Sequence, residues 1–191
     1  MVWLCCKVAD CPEAELEQIY RELSPSRKEH IDRLRRPEDK NRSLAGQWLA
    51  GKLLKDQFGI SATLCRSPNG QPYFEDCELQ VSIAHSEEMI ACAINEEKVG
   101  IDVEKIRPID LKICRHTCVE AEKDYLLSGS VQPEGVLCED PEILSRFFEI
   151  WTAKEAYFKK QGTGITDLKS VNILTLQRQV YTKDGYMIQI I

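Results

Sequence analysis

The sequence predicts an α+β fold built from two similar halves, residues 1–105 and 106–191. A helical pattern followed by short strands occurs twice, once before Glu104 and once after it, although no residue-level repeat is visible. A chain of 191 residues can hold two small fused halves with real cores. Its hydrophobic residues (43%) and charged residues (29%) occur in the proportions of an ordinary soluble globular protein.

Charge and hydropathy argue against two broad classes. A net charge of −6 argues against general nucleic-acid binding, which needs a basic surface. No apolar run approaches the roughly 18 residues of a membrane span. The apolar start of the chain is too short for a signal peptide and predicts an opening strand. We therefore expect a cytoplasmic protein. We also expect a monomer.

Nine cysteines raise the question of a disulfide or metal framework. Their number is odd and no Cys-x-x-Cys spacing occurs, and no nearby pair would complete a zinc site with Cys114 and Cys118. Most cysteines, such as Cys92, lie among apolar neighbours. This indicates small buried hydrophobic residues.

In the first half, helices are predicted over residues 13–23, from about Arg27, and over residues 37–58. The last of these begins with proline, which suits a first helical turn, and is followed by Gly59, which suits a helix end. Between residues 21 and 42 the chain carries eight Arg or Lys against five Asp or Glu. These charges form either a solvated face with ion pairs or an anion-binding patch.

Strand patterns follow the long helix. Residues 63–67 form a predicted strand before an Asn-Gly turn at 68–71. Residues 79–94 form two strands around a tight connection. His85 lies where the first of them ends, either as an ordinary surface residue or as a functional side chain at a turn.

The strand predicted over residues 98–104 carries two acids. Asp102 and Glu104 point the same way, because side chains alternate along a strand. Two neighbouring carboxylates repel each other unless a cation or water lies between them, and hard oxygen ligands of this kind suit Mg²⁺. The alternative is an exposed strand end.

The second half begins with a weak pattern over residues 106–142, where we predict a helix at 119–127 and a linker and mobile loop at 128–135. Its end returns to strands, predicted at residues 171–176, 179–182 and 186–191.

The helix that organises the second half covers residues 144–164, with Gly162 as a natural stop. Apolar residues recur at helical spacing along one face as far as Trp151. Glu155 then falls within this apolar stripe, with Lys159 close beside it. A buried carboxylate needs a partner or a metal, so Glu155 belongs either to a structural ion pair or to a functional site.

Three segments form a recognisable set: Ser-Ile-Ala-His-Ser at 82–86, Val-Gly-Ile-Asp-Val-Glu at 99–104, and Trp-Thr-Ala-Lys-Glu-Ala-Tyr-Phe-Lys at 151–159. Together they resemble the 4′-phosphopantetheinyl transferases, specifically the surfactin-activating (Sfp-like) class. Segments 24–29 and 41–46 are similar to that class too, so the resemblance covers nearly the whole chain. The Gly-Ile-Asp element alone is weak, but its combination with Trp-x-x-Lys-Glu-Ala is specific.

The resemblance implies transfer of the 4′-phosphopantetheine arm of coenzyme A to a serine of an apo acyl- or peptidyl-carrier protein. Mg²⁺ would be the cofactor and 3′,5′-ADP the released product, as in fatty-acid, polyketide or nonribosomal peptide biosynthesis. The resemblance also implies a pseudo-twofold pair of α+β halves with the cofactor in the cleft between them. The first half would take the adenosine end and supply the first two metal acids, and the second would face the carrier protein.

The site residues implied by the resemblance fall into three groups. The metal ligands would be Asp102, Glu104 and Glu155. Glu155 is similar to the base that takes the serine proton, with Asp102 and Lys159 as the other catalytic residues. The pyrophosphate would be held by Lys154 and Lys159. The 3′-phosphate and adenosine would be held by Arg27, Arg42 and His85.

Three positions depart from the family pattern. Ala84 stands where the family often has serine, Gln71 where a basic residue is common, and His30 where lysine is frequent. The first two remove a polar or charged group that would contact the cofactor. His30 turns a fixed charge into a pH-dependent one. The three metal acids are all present.

Two other functions stay open from sequence. One is a Mg²⁺-dependent phosphatase or nucleotide hydrolase, and the other is a carrier-binding module that no longer binds coenzyme A. Carrier docking is expected over residues 106–137. There Val119, Leu126 and Leu127 are either carrier contacts or local core residues.

Overall fold

The computed structural model describes residues 1–128 and 137–191. They form two units, Met1–Val99 and Gly100–Ile191. Both units are mixed α+β with small antiparallel sheets, as the sequence predicts. Within the described ranges, no helix combines the length and hydropathy that a bilayer span requires. The predicted loop at 128–135 lies, apart from Ser128, outside the described residues.

The helices of the first unit are α1 (Glu13–Glu22), α2 (Pro25–Asp32) and α3 (Pro37–Phe58). Pro at the first position of α2 and of α3 is compatible with their first turns. The Ser24 side chain caps α2, and α3 ends where Gly59 adopts a left-handed conformation with φ of 69°.

The main sheet of the first unit is antiparallel and has its last strand in the centre. Its strands are β1 (Val2–Lys7), β4 (Gln80–Ser86) and β5 (Met89–Asn95), in the order β1-β5-β4. β5 is almost entirely buried, and Leu49 and Leu54 of α3 pack in one core with its Ile90 and Ile94. A separate hairpin joins β2 (Leu64–Arg66) to β3 (Pro72–Phe74).

The second unit packs one long helix on a three-stranded antiparallel sheet. The sheet contains β6 (Ile101–Lys105), β9 (Gln179–Lys183) and β10 (Tyr186–Ile190), in the order β6-β10-β9. Its helix α6 (Pro141–Gln161) contacts β6 and β10, begins at the Asp140 cap and ends at the left-handed Gly162. Around it lie α4 (Cys114–Thr117), α5 (Glu120–Leu127) and the short pair β7 (Ile109–Asp110) and β8 (Leu137–Cys138).

Strand β6 belongs to the second unit. It pairs along its whole length with β10, and just before it Gly100 and Ile191 exchange backbone hydrogen bonds of 3.0 and 2.9 Å. The boundary therefore falls before this strand, whereas the sequence placed it after Lys105. The sequence assigned β6 to the strands next to it in the chain, but its pairing partner is the last strand of the chain.

The prediction of a strand at residues 171–176 is wrong. The structure has a short 3-10 turn, Ile173–Thr175. The Asn172 side chain accepts a hydrogen bond from the N–H of Leu174, and the N–H of Ile173 donates to Glu122 Oε1 at 2.8 Å. These side chains satisfy backbone groups that a strand ladder would otherwise use.

All nine cysteines are free thiols. Cys92 is completely buried in the centre of β5 and packs in the first unit's core. The expectation of small hydrophobic side chains is confirmed for this residue.

Gly100 sets how closely α6 approaches the sheet. A Cβ at this position would lie 1.9 Å from the carbonyl oxygen of Ala156 and 2.8 Å from the backbone nitrogen of Lys160. Both atoms belong to the helix backbone, which cannot turn aside as a flexible side chain would. Only glycine fits here without displacing α6.

We expect Gly100→Ala to destabilise the protein by roughly 1–3 kcal/mol or more, because the added methyl group forces α6 away from β6. Urea denaturation measures the effect. The control is Gly51→Ala on α3, where nothing lies within 4 Å of the new Cβ. That change should be neutral or stabilising by up to about 1 kcal/mol. Equal effects of the two substitutions would show that the close contact at Gly100 is unimportant.

Candidate active site

Two elements of the second unit bring the predicted acids together. Asp102 and Glu104 alternate along β6 and share the side on which Gly100 meets α6. Glu155 and Lys159 lie one turn apart on α6. A direct contact joins the two elements, since Lys159 Nζ donates to Asp102 Oδ1 at 2.6 Å.

Asp102 is the most buried of these acids. Its exposed fraction is 4%, and its Oδ2 atom has no hydrogen-bond partner among the described residues. Burial raises the pKa of Asp102 to about 6, although the positive charge of Lys159 opposes the rise. The carboxyl group is therefore short of one donor or cation.

Glu155 is partly buried close to Asp102. Its pKa is raised to about 7, chiefly by burial and then by the negative charge of Asp102, against the opposing charge of Lys159. Glu104 adds a smaller repulsion to both acids. A cation placed among these groups would relieve their mutual repulsion.

The side-chain oxygens of this group are of the type that binds a divalent cation. Carboxylate oxygens are the hard ligands that Mg²⁺ prefers, and Asp102 Oδ2 is buried and unpaired. However, within residues 1–128 and 137–191 no three His, Cys, Asp or Glu side chains form a preassembled metal cluster. The two findings are compatible, because Mg²⁺ usually keeps several waters and binds one or two carboxylates plus substrate phosphates. Asp102, Glu104 and Glu155 could hold it in that way.

Lys154 does not belong to this group. Its side chain is fully buried and pairs at 2.7 Å with Glu122, which is buried as well. Its Nζ also donates to the carbonyl oxygens of Leu168 (2.6 Å) and Val171 (2.9 Å). The three N–H groups of the ammonium thus have three partners, so Lys154 has a structural role in place of the predicted pyrophosphate contact.

The first unit contains a cavity of about 1480 Å³. Arg27 and His85, both predicted to hold the 3′-phosphate end, contribute to its wall, as does His30. Arg42 does not line it. The Arg42 guanidinium pairs with Asp39 and donates to the carbonyl oxygen of Glu87 at 2.8 Å.

Arg66 is a cavity residue that the sequence analysis missed. Desolvation within the cavity, followed by repulsion from Arg27, lowers the pKa of Arg66 to about 10. Its guanidinium group remains a cation at neutral pH. The two neighbouring arginines could hold an anion. A basic residue directly before the 67–71 turn was the signal, and it supplies a charge that Gln71 lacks.

The predicted carrier contacts divide into two kinds. Leu126 is 1% exposed and packs in the core of the second unit, which decides for the core alternative at this residue. Val119 and Leu127 remain partly exposed. Their role in docking stays a prediction.

Comparison with known proteins identifies related sequences. A family model described as the 4′-phosphopantetheinyl transferase superfamily matches residues 98–189, which include every acid of the second unit's site. The 4′-phosphopantetheinyl transferase pptA of Paxillus involutus is 30% identical over 198 aligned residues, covering 93% of this chain and 73% of that protein.

Two bacterial relatives are longer than the region they share with this chain. The 4′-phosphopantetheinyl transferase gsp of Aneurinibacillus migulanus is 35% identical over 131 residues, covering 67% of this chain and 51% of that protein. The 4′-phosphopantetheinyl transferase Sfp of Bacillus subtilis (strain 168) is 27% identical over 158 residues, covering 81% and 66%. The chain thus spans about half to two thirds of their length.

Lys154→Met should destabilise the protein by roughly 3–5 kcal/mol in urea denaturation, because it leaves Glu122 charged and buried without a partner. Adding Glu122→Gln removes that charge and should recover much of the loss. The control is Lys123→Met, which breaks an ion pair with Glu120, itself 80% exposed. It should cost no more than about 1 kcal/mol. If Lys154→Met and the double variant had equal stability, the charges of Lys154 and Glu122 would not stabilise each other.

Asp102→Asn tests the buried carboxyl group by its pH dependence. The pKa of Asp102 rises on folding from 3.8 to about 6, so the folded state holds the proton more tightly. This contribution to stability is complete below about pH 4 and is lost as the pH rises through about 6. The variant stays neutral. In EDTA its stability relative to wild type should increase by roughly 1–3 kcal/mol between about pH 4 and pH 8. If urea denaturation gave the same stability difference between the variant and the wild type at every pH, the burial of a charge at Asp102 would be contradicted.

Proposed function

The chain belongs to the 4′-phosphopantetheinyl transferase superfamily, and from this membership we propose that it transfers the 4′-phosphopantetheine arm of coenzyme A to a serine of an apo acyl- or peptidyl-carrier protein. The observation that carries the proposal is the contact of Lys159 with the buried Asp102 between α6 and β6, with the partly buried Glu155 close by and the pKa of both acids raised. Such a cluster is costly to keep for stability alone. The same cluster would serve to bind a phosphate group that carries a metal ion.

The reaction is one phosphoryl transfer. The serine Oγ forms a bond to the phosphorus that bears the pantetheine arm, the bond from that phosphorus to the bridging oxygen breaks, and 3′,5′-ADP leaves with that oxygen. A bound Mg²⁺ would supply Lewis-acid neutralisation of the pyrophosphate charge. Its holders would be Asp102, Glu104 and Glu155. Positioning and electrostatics carry most of the catalysis in reactions of this class.

Glu155 is suited to accept the serine proton. A general base must be ionised and within hydrogen-bond reach of the proton that it takes. Burial and the charge of Asp102 raise the pKa of Glu155 to about 7, and a cation bound beside it would keep its carboxyl group ionised. Glu155 is also only partly buried, so a hydroxyl group or a bridging water can reach its carboxyl group.

Lys159 holds Asp102 through the 2.6 Å contact to Oδ1 and places a positive charge beside the acids. With Lys154 engaged elsewhere, we assign the pyrophosphate contact to Lys159 alone. Its charge opposes the rise in pKa of both Asp102 and Glu155 and so favours their ionised forms.

The cavity of the first unit would take the adenosine end of coenzyme A. Arg27 and Arg66 repel each other there, and a 3′-phosphate between the guanidinium groups would turn that repulsion into two charge-assisted contacts. His85 and His30 line the same cavity and would contribute further donors. Val119 and Leu127 remain candidates for contact with the carrier protein.

Incubation with coenzyme A, Mg²⁺ and a panel of apo-carrier proteins tests the proposal, with intact mass and 3′,5′-ADP release as readouts. We expect one carrier to gain the mass of one phosphopantetheine group. Glu155→Gln should reduce the rate by about 10²–10⁴-fold, the range of a general base. Glu142→Gln, in the exposed first turn of α6, is the matched control and should keep the wild-type rate.

Three outcomes would contradict the proposal. Release of 3′,5′-ADP without carrier modification would indicate a phosphohydrolase. Carrier binding without any coenzyme A turnover would indicate a binding module. Wild-type turnover by Glu155→Gln would remove Glu155 from the chemistry.

A further inference from the structure

Gln189 is a buried amide in an apolar strand. It is 0% exposed in β10, where its neighbours are Met187, Ile188 and Ile190. Neither its Oε1 nor its Nε2 atom has a hydrogen-bond partner among the described residues. Buried amides almost always have such partners. An apolar side chain would fill this position without the cost of desolvating an amide, so packing alone does not account for glutamine here.

Its place in the sheet connects it to the acids. In the β6–β10 ladder Gln189 lies directly opposite Asp102. Residues opposite each other on neighbouring strands share one face, with Cβ atoms about 4.5–5.5 Å apart. That face carries Glu104 as well and is the one beneath α6. Gln189 and Asp102, which both carry buried polar atoms without partners among the described residues, therefore lie opposite each other on one face of the sheet.

Asp102 is held by one oxygen only. Lys159 Nζ binds its Oδ1 at 2.6 Å, while Oδ2 has no partner within the described ranges. A carboxylate anchored at one oxygen can still turn about its Cβ–Cγ bond. A second donor on the other oxygen would fix the plane of the group. The flexible glutamine side chain opposite carries such a donor, and an amide stays neutral at every working pH.

We propose that Gln189 positions Asp102 for the divalent cation, its amide N–H donating to Asp102 Oδ2 when the site is loaded. The inference rests on the proposed function, which makes Asp102 a metal ligand. Hydrogen bonds from outside the ligand set commonly orient ligating carboxylates, and their loss typically weakens metal binding about 10–100-fold. Gln189 itself touches no reacting atom and is a positioning residue.

The test measures Mn²⁺ affinity by electron paramagnetic resonance in the presence of coenzyme A, without a carrier protein. Gln189→Met removes the amide but keeps an unbranched side chain of similar length. We expect its dissociation constant for Mn²⁺ to rise about 10–100-fold. Its melting temperature in EDTA should equal or exceed that of the wild type, because an unpaired buried amide is gone. Excess Mg²⁺ should restore turnover.

Two further variants make the result specific. Met187→Leu lies on the same strand and face, opposite Glu104, and should keep the wild-type Mn²⁺ affinity. Asp102→Asn should lose Mn²⁺ binding. If it does not, the proposed metal site is wrong. If Asp102→Asn loses binding while Gln189→Met keeps it, only the role of Gln189 is overturned.

A folding defect is separated from a positioning role by the metal-free measurement. Gln189→Leu replaces the methionine variant if that one does not fold. A lowered melting temperature in EDTA with unchanged Mn²⁺ affinity would make Gln189 a structural residue. Failure of both variants to fold would overturn the proposal in the same way.

Discussion

A fully buried ion pair between Lys154 and Glu122 fixes the interior of the second unit. Burying two charges is favourable only when their remaining hydrogen-bonding capacity is satisfied, and here four backbone groups do so. Glu122 accepts from two N–H groups and Lys154 donates to two carbonyl oxygens, belonging to Val119, Ile173, Leu168 and Val171. The pair thereby joins α5, α6 and the segment 168–173, and it sets the rotation of α6 about its own axis.

The rotation of α6 determines what lies above β6. With Lys154 turned into the core, Glu155 is carried to the neighbouring face, and Lys159 follows one turn later, where it reaches Asp102. Gly100 lets the helix backbone approach the start of β6 without a clash. Burial of Asp102 and its raised pKa are consequences of this close packing. The chemistry of the site therefore depends on a structural ion pair that takes no part in it.

The two units have opposite electrostatic imbalances. In the second unit neighbouring carboxyl groups raise each other's pKa, and in the first unit Arg27 lowers the pKa of Arg66. Each imbalance lowers stability by itself and is relieved by a ligand of the opposite sign. Under the proposed function the anion for the arginines would be a phosphate of coenzyme A, and the cation for the acids would be Mg²⁺.

The sequence alone determined most of the regular structure and the identity of the acids. The helix at residues 37–58 was predicted from the proline at its start and the glycine after its end. The helical spacing of apolar residues predicted α6, and the alternation of side chains along a strand placed Asp102 and Glu104 on one face. Tertiary structure decided the rest: the burial of Lys154, the cavity position of Arg66, the pairing of β6 with β10 and the place of Gln189 opposite Asp102. Periodicity shows which face of an element is buried, because that depends on local geometry. It does not show which distant segment covers that face, and the partner of a buried charge or amide is settled only when the chain has folded.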